Sequence, residues 1–176
     1  MVYHRYPKLG LVGDVATHFI LAFQTGLGPR PDIDEFRGLL AQAARRVQLD
    51  WILADAGYDS EANHRFAREE LQIRTVIPPR HGRPSLKPAR GKYRRLMQTR
   101  FNHTRYRRRS QAETIMSMFK RRQGNHCQGR SEASRRRGLH LLVLTHNIMI
   151  LWRKEVFYRA GQNYLFYSSH VPPPDP

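Results

Sequence analysis

The chain has 176 residues, with 31 Lys and Arg against 14 Asp and Glu, which gives a formal net charge of +17. Its length suits one ordinary domain, and its single cysteine excludes a disulfide scaffold or a cysteine-based zinc cluster. The longest apolar stretch, residues 139–152, is too short to cross a bilayer and is interrupted by polar side chains. The composition therefore predicts a soluble, basic protein whose partner is a polyanion and not a membrane.

The first elements in chain order are a hairpin and a helix. Residues 9–24 predict two strands that are joined by a turn near Ala16 and Thr17. A helix follows, with Asp32 as its predicted cap and Glu35 three residues later. The apolar positions of this helix recur at helical spacing and are Ile33, Phe36, Leu39, Leu40, Ala43, Ala44 and Val47.

The rest of the chain completes an α/β layout, a mixed sheet with flanking helices. The predicted elements are a strand over 51–54, a helix over 59–71, a strand over 75–77, a basic loop over 80–100 with a short helix near its end, a long helix over 105–122, a loop over 123–130 and a helix over 131–157. The tail from Gly161 onward ends in prolines and is predicted to be loose.

The charge is concentrated in one part of the chain. Residues 71–131 contain seventeen Lys or Arg and one acid, Glu113. Such a run is usually a solvated face, but here Tyr93, Phe101 and Tyr106 are interleaved with the cations. Cations bind phosphates and aromatic rings stack on bases, so we expect nucleic-acid binding. The composition does not separate DNA from RNA.

The predicted long helix has a polar stripe. At about 100° per residue, Tyr106, Arg109, Glu113 and Lys120 fall within about 60° of arc. The opposite side carries apolar residues that are predicted to pack on the sheet: Ala112, Ile115 and Phe119. The stripe is open to two interpretations, an ordinary Arg–Glu pair on a surface helix or a functional carboxylate among cations.

A second carboxylate, Asp55, directly follows the predicted strand 51–54, where chemistry collects in open α/β sheets. Asp55 is one candidate cap for the next helix, but Asp59 and Ser60 are better placed for that, so Asp55 is expected to have no structural role. Asp55 and Glu113 together predict a divalent-metal site, since carboxylate oxygens suit Mg²⁺ and two such ions can drive phosphodiester cleavage.

These segments resemble the DDE transposases of bacterial insertion sequences, of the insertion-sequence-4/5-like type. The spacing Tyr106-x₂-Arg109-x₃-Glu113-x₆-Lys120 matches the signature around that family's catalytic Glu, and ADAGYDSE around Asp55 is similar to the motif of its second catalytic Asp. The resemblance covers about residues 5–155. It implies an RNase H-like catalytic domain over residues 1–158, followed by the loose tail 159–176.

The resemblance also implies the chemistry. Asp55 and Glu113 are expected to be catalytic and to hold Mg²⁺ or Mn²⁺, with two ions in an intact member. Tyr106, Arg109 and Lys120 are expected to touch DNA beside the scissile bond. Water would cut the strand at an element end, and the freed 3′-hydroxyl would then attack target DNA.

One family motif is missing from this sequence, the first catalytic Asp on the first strand of the sheet. Asp14 is a weak substitute, because it lies in the hairpin and only 41 residues before Asp55, closer than in the family. We therefore expect the first strand to lie upstream of Met1 and the chain to be a truncated transposase or the downstream piece of a split reading frame. Such a chain is predicted to be inactive alone.

An alternative from another class is a non-catalytic, basic DNA-binding remnant that occupies element ends or inhibits an intact transposase. The expected partners are element-end and target DNA, with a homo-oligomer or a complex with intact transposase as the assemblies left open. The expected location is the cytoplasm, in association with the nucleoid.

Overall fold

The computed structural model of the protein describes residues 6–28, 31–79, 88–123 and 129–163. The elements are β1 (Tyr6–Gly13), β2 (Ile20–Gly28), α1 (Phe36–Ala44), β3 (Trp51–Leu53), α2 (Glu61–Arg65), β4 (Arg74–Val76), α3 (Lys92–Thr99), α4 (His103–Arg107), α5 (Ser110–Gln123) and α6 (Glu132–Asn163). The predicted order of strands and helices is confirmed.

The predicted hairpin is confirmed and is longer than the sequence pattern suggested. β1 pairs antiparallel with β2, from Tyr6 opposite Gly28 to Gly13 opposite Ile20. The Asp14 carboxylate accepts a hydrogen bond of 2.7 Å from the Thr17 amide and so closes the turn between the strands.

The predicted strand–helix–strand unit is also confirmed. β3 pairs parallel with β4, with Trp51 opposite Arg74 and Leu53 opposite Val76. Ser60 caps α2, because its hydroxyl accepts a 3.0 Å bond from the Asn63 amide. The helix continues as a wider π turn over Phe66–Glu70 before the chain enters β4.

The α/β class is confirmed, with strands of both senses. Among the described residues the strands form two separate sheets, β1 with β2 and β3 with β4. Two-stranded sheets are marginal by themselves, so their stability depends on the helices that pack against them.

Helices α1 and α5 cover opposite faces of the hairpin. Val12 packs in the cluster of buried α1 residues, whereas Leu9 and Leu11 pack against the cluster of α5 and α6. Because side chains of a strand alternate between its faces, the two helices lie on different sides of β1. The buried residues of the second cluster are Ile20, Ile115, Phe119 and Val143.

The prediction that Asp32 begins the first helix was wrong. α1 begins at Phe36, after a short 3₁₀ turn over Asp32–Asp34, and its N-cap Glu35 makes no side-chain cap bond. The reason is a tertiary contact: the Glu35 carboxylate is buried and lies 3.1 Å from the Lys8 ammonium. An unpaired buried carboxylate costs more free energy than an uncapped helix end, so Glu35 pairs with Lys8.

The prediction of one long helix over 105–122 was also wrong. The segment divides into α4 and α5, and a tight turn at Arg108 and Arg109 separates them. Within α5, Ile115 and Phe119 are buried as predicted, but Ala112 is exposed.

The final helix α6 extends to Asn163, past the predicted end at 157. The predicted loops at 80–87 and 124–128 and the tail 164–176 lie outside the described residues.

Two further observations concern α6. Its outward side exposes five large apolar residues: Leu141, Leu144, Ile148, Leu151 and Trp152. In the part of the chain that the structure describes, no helix is both long and apolar enough to cross a membrane.

Replacing His146 with Gln is expected to reduce the loss of stability in acid. Burial lowers the pKa of His146, while its bond to the His18 carbonyl opposes that shift. The neutral imidazole therefore contributes its full stability above the unfolded-state pKa of about 6.5, and this contribution is lost as the pH falls below that value toward the folded-state pKa. Glutamine can still donate to the His18 carbonyl but does not titrate.

Urea denaturation of both proteins at about pH 8 and about pH 5 measures how far the free energy of unfolding falls in each. The other histidines are common to both proteins, so the difference between the two falls reports on His146. An equal fall in the free energy of unfolding for both proteins would contradict the prediction.

Candidate functional site

Asp55 stands at the end of β3 and at the start of a 3₁₀ turn over Ala56–Tyr58. Its carboxylate accepts a 2.6 Å bond from the Ala56 amide, so it does have a local structural role, contrary to expectation. The turn begins directly after the strand, and the adjacent Asp55 supplies an acceptor for its first amide. The side chain remains 62% exposed and is open to other ligands.

The turn between α4 and α5 places the other site residues. The Arg109 amide bonds to the Tyr106 carbonyl at 2.9 Å, and the Ala112 amide bonds to the Arg109 carbonyl at 2.9 Å. These bonds span three residues, as in a 3₁₀ turn. Although the polar stripe does not lie on one continuous helix, the Arg109 guanidinium still lies over the Tyr106 ring, 5.8 Å from its centroid.

The guanidinium of Arg109 joins the two predicted catalytic carboxylates. Its Nη2 lies 2.9 Å from Glu113 Oε1, and its Nη1 lies 3.8 Å from Asp55 Oδ2. The Arg109 side chain is 29% exposed, against 69% for Glu113. Two acids from different elements, 58 positions apart in the sequence, therefore meet at one cation.

Tyr106 reports the same grouping through its pKa. Partial burial raises the pKa of the Tyr106 phenol, Arg109 lowers it, and the negative charges of Asp55 and Glu113 raise it further. The Tyr106 phenol is therefore within electrostatic range of both carboxylates.

Lys120 is not part of this grouping. It lies seven residues beyond Glu113 on α5, about 10 Å farther along the helix axis, and its side chain is exposed. The structure thus brings together four of the five predicted site residues, Asp55, Tyr106, Arg109 and Glu113, and leaves Lys120 on the adjoining surface.

The donor chemistry of the site fits a hard divalent cation. Mg²⁺ in proteins is commonly bound by one or two carboxylates and keeps several waters, which two exposed acids can provide. Within the described ranges, no group of three or more His, Cys, Asp or Glu side chains is placed to hold a metal. Asp14 therefore does not join Asp55 and Glu113 as a third ligand.

A cavity of about 420 Å³ lies between the two sheets and ends at this site. We call it the inter-sheet groove. Its lining comes from the ends of β1 and β3, from α1, and from the α4–α5 segment, and it includes Asp14, Asp55 and Arg109.

The sequence pattern did not indicate which cations lie near the groove. Arg105 lies over the Trp51 ring, 4.0 Å from its centroid, and Arg74 lies 5.1 Å from the same ring. Arg105 and Arg108 also line the groove. The signal in the sequence was the density of Arg between 105 and 109, but nothing there pointed to Trp51 as the stacking partner.

The acids Asp59 and Glu61 hold the basic helix α3 beside the Asp55 turn. The Glu61 carboxylate accepts bonds from the amides of Tyr93 and Arg94, at 3.1 and 3.0 Å. The buried Asp59 carboxylate accepts bonds of 2.9 and 2.8 Å from the Arg94 guanidinium. Asp59 was expected to cap α2 and serves instead as this buried anchor, which only the position of α3 explains.

Comparison with known protein families gives a match. The model of the family described as "Transposase DDE domain" matches residues 3–148, which include both carboxylates and the α4–α5 segment. No curated protein and no solved structure matches the chain.

Replacing Glu113 with Gln is expected to lower the pKa of Tyr106, because one of the negative charges that raise it is removed. Replacing Arg109 with Gln is expected to raise that pKa further. Carbon-13 NMR of ring-labelled tyrosine during a pH titration, assigned with Tyr106→Phe, measures both shifts. Glu132→Gln, an exposed acid on α6, is the control and should leave the pKa unchanged. Equal effects of the Glu113 and Glu132 substitutions would contradict the grouping.

Proposed function

We propose a specific role for this chain, which belongs to the transposase DDE domain family. The function of that family is DNA transposition, and its substrate is DNA. Its chemistry generally depends on divalent metal. The chain is a catalytic-domain piece that binds DNA and supplies two of the metal-binding carboxylates, Asp55 and Glu113. The proposed domain covers residues 1–158.

One observation carries this proposal: Asp55 and Glu113 meet at the Arg109 guanidinium. An exposed Arg–Glu pair of this spacing contributes only a few tenths of a kcal/mol, so stability does not account for the arrangement. The second acid, Asp55, comes from the end of a parallel strand, where α/β proteins place their reactive groups. The grouping is therefore better explained by function.

Asp55 and Glu113 are the proposed ligands of Mg²⁺ or Mn²⁺. When bound, such an ion would activate water and stabilise the leaving oxygen of a phosphodiester. The protein holds the two carboxylates beside one guanidinium, and Arg109 offsets part of their negative charge.

DNA binding is proposed for Tyr106, Arg109 and Lys120. Tyr106 and Arg109 stand beside the carboxylates, where a scissile phosphate would lie, and Lys120 extends the cationic surface along α5. Guanidinium and ammonium groups fix a duplex through its phosphates, while a tyrosine ring can stack on a base or donate to a phosphate.

The chain is proposed to be inactive in strand cleavage by itself. Removing a carboxylate from a two-metal site normally abolishes useful rates, and the described residues place only two acids together.

The second candidate function is a non-catalytic DNA-binding protein that acts in a complex with a second copy or with an intact transposase. The exposed apolar side of α6 favours it, since Leu141, Leu144, Ile148 and Leu151 follow the spacing of helix-pairing surfaces.

Replacing Lys120 with Gln is expected to weaken DNA binding for all sequences and to reduce the slope of log affinity against log salt by about 1. Fluorescence anisotropy with a labelled duplex over a salt series measures both. Arg45→Gln is the matched control, because it removes the same charge from an exposed position after α1. Equal losses in the two variants would contradict a DNA contact at Lys120.

The purified chain is expected to leave supercoiled plasmid uncut in Mg²⁺ or Mn²⁺, to the same level as Glu113→Gln, while still binding DNA. Gel analysis of relaxed circles measures this. Metal-dependent cutting by the unchanged chain that disappears in Glu113→Gln would show that the chain alone carries a working site.

A further inference from the structure

The ring of Trp51 holds two arginines at the start of β3. Arg105 comes from α4 and lies 4.0 Å from the ring centroid, and Arg74 comes from β4 and lies 5.1 Å from it. Arg74 stands directly opposite Trp51 in the parallel strand pair. The attraction between a guanidinium and an aromatic ring therefore holds both arginines beside this strand.

The ring of Tyr93, in α3, holds a second pair of cations. Arg68 and Lys92 lie 5.2 and 5.0 Å from its centroid. The Arg68 guanidinium also donates to the hydroxyl and the carbonyl of Thr75 in β4, at 2.7 and 2.8 Å. The Tyr93 amide donates to the Glu61 carboxylate at 3.1 Å. Both the ring and its arginine are therefore held by neighbouring elements.

The two pairs of cations form one continuous row. Arg68 bonds to Thr75, which directly follows Arg74 in β4. Burial lowers the pKa of Arg68, Tyr93 opposes that shift, and the positive charge of Arg74 lowers the pKa further. We call this surface the cation–ring row, and its members in spatial order are Lys92, Tyr93, Arg68, Arg74, Trp51 and Arg105.

The cations of the row are not neutralised by acids of the protein. In the described ranges none of the four forms an ion pair with a carboxylate. Glu69, the residue after Arg68, bonds to Arg65 instead, at 3.0 Å. Arg74 and Lys92 are exposed, and the other four members of the row are partly exposed. The row is therefore a cationic surface that an anion can reach.

Stacking on a ring leaves the donors of a guanidinium available. The five N–H groups of an arginine lie in the plane of the guanidinium, so a ring that covers its face leaves its edges open to a phosphate. Within the part of the chain that the structure describes, the side chains of Arg74 and Arg105 donate no hydrogen bond. Because the rings already hold cations, they orient those cations and do not stack on bases. The chemistry favours a backbone of phosphates over an unpaired strand, whose binding depends on base stacking.

The row begins beside the candidate functional site and leads away from it. Arg105 precedes Arg109 by four residues, or about 6 Å along the axis of α4. Trp51 is at the opposite end of β3 from Asp55, about 13 Å away along the strand direction. A line of phosphates that passes the site can therefore continue over the row.

We propose that the cation–ring row binds the phosphate backbone of duplex DNA beyond the scissile phosphate and does not read its sequence. The unpaired cations and the rings that orient them carry this inference. Phosphate contacts position a duplex without carrying sequence information. The inference rests on the proposed function, since the duplex is the one whose scissile phosphate lies at Asp55 and Glu113.

Replacing Arg74 with Gln is expected to weaken duplex binding and to reduce the slope of log affinity against log salt by about 1. Fluorescence anisotropy with two unrelated duplexes of equal length measures both quantities, and the losses for the two duplexes are expected to be equal. Arg74→Lys keeps the charge and is expected to restore the slope. Arg45→Gln is the matched control, because it removes the same charge from an exposed position after α1.

Three outcomes of this series would overturn the proposal. The first is an equal loss in Arg45→Gln, and the second is a loss that is confined to one of the two duplexes. The third is a larger loss for a single strand of the same length than for the duplex, because base stacking would then be the main contact.

Tryptophan fluorescence tests where the DNA lies. The chain has two tryptophans, so Trp152→Phe leaves Trp51 as the only one. Saturating duplex is expected to remove most of the quenching of Trp51 by iodide, because phosphates then occupy the cations that attract iodide. Trp51→Phe leaves Trp152 on α6 and is the control, in which duplex is expected to change nothing. Unchanged quenching of Trp51, or equal protection of both tryptophans, would overturn the proposal.

The Lys120→Gln salt series separates this inference from the proposed function. Weaker binding in Lys120→Gln but not in Arg74→Gln would overturn the row and leave the proposed contact at Lys120 standing. The reverse result would support the row and count against the contact at Lys120 alone. An unchanged chain that binds no duplex would overturn the proposed function and this inference together.

Discussion

The arrangement of the site depends on one charge–charge interaction, the sharing of the Arg109 guanidinium by Asp55 and Glu113. Two carboxylates repel each other, so the end of β3 and the start of α5 can approach only with a cation between them. Arg109 supplies that cation from the turn that separates α4 from α5. The interaction gives little stability because it is exposed. The buried Ile115 and Phe119 orient α5 against the hairpin, and in that orientation Arg109 lies between the two acids.

The sequence pattern alone predicted the elements whose main contacts are with residues nearby in the sequence. The hairpin, β3 and β4 follow from apolar runs and turn residues, and the buried positions Phe36, Leu39, Leu40 and Ala43 of α1 follow from helical spacing. The same holds for Ile115 and Phe119 of α5. In each case the residues that bury a face lie close together in sequence, so the period alone identifies them.

The sequence could not predict features that rest on a distant partner. Glu35 pairs with Lys8 of β1 and makes no side-chain cap bond to α1. Asp59 can be buried because the guanidinium of Arg94, on α3, pairs with it. The break at Arg109 replaces part of a helix that propensity would continue, and it keeps the guanidinium within reach of Asp55. Two motifs with fixed spacing contain the predicted site residues Asp55, Tyr106, Arg109 and Glu113, and the structure brings these four side chains together. Lys120 was predicted at the same angle around the helix axis as these residues, but it lies farther along that axis.

The inter-sheet groove and the charged site share the end of β3 and the α4–α5 segment. Asp55 and Arg109 line the groove and also belong to the site, so the two features are parts of one surface. Arg105 and Arg108 line the same groove, and Arg105 lies over the ring of Trp51 in β3. The α4–α5 segment therefore sets both the charge of the groove and the position of Arg109 between the two acids.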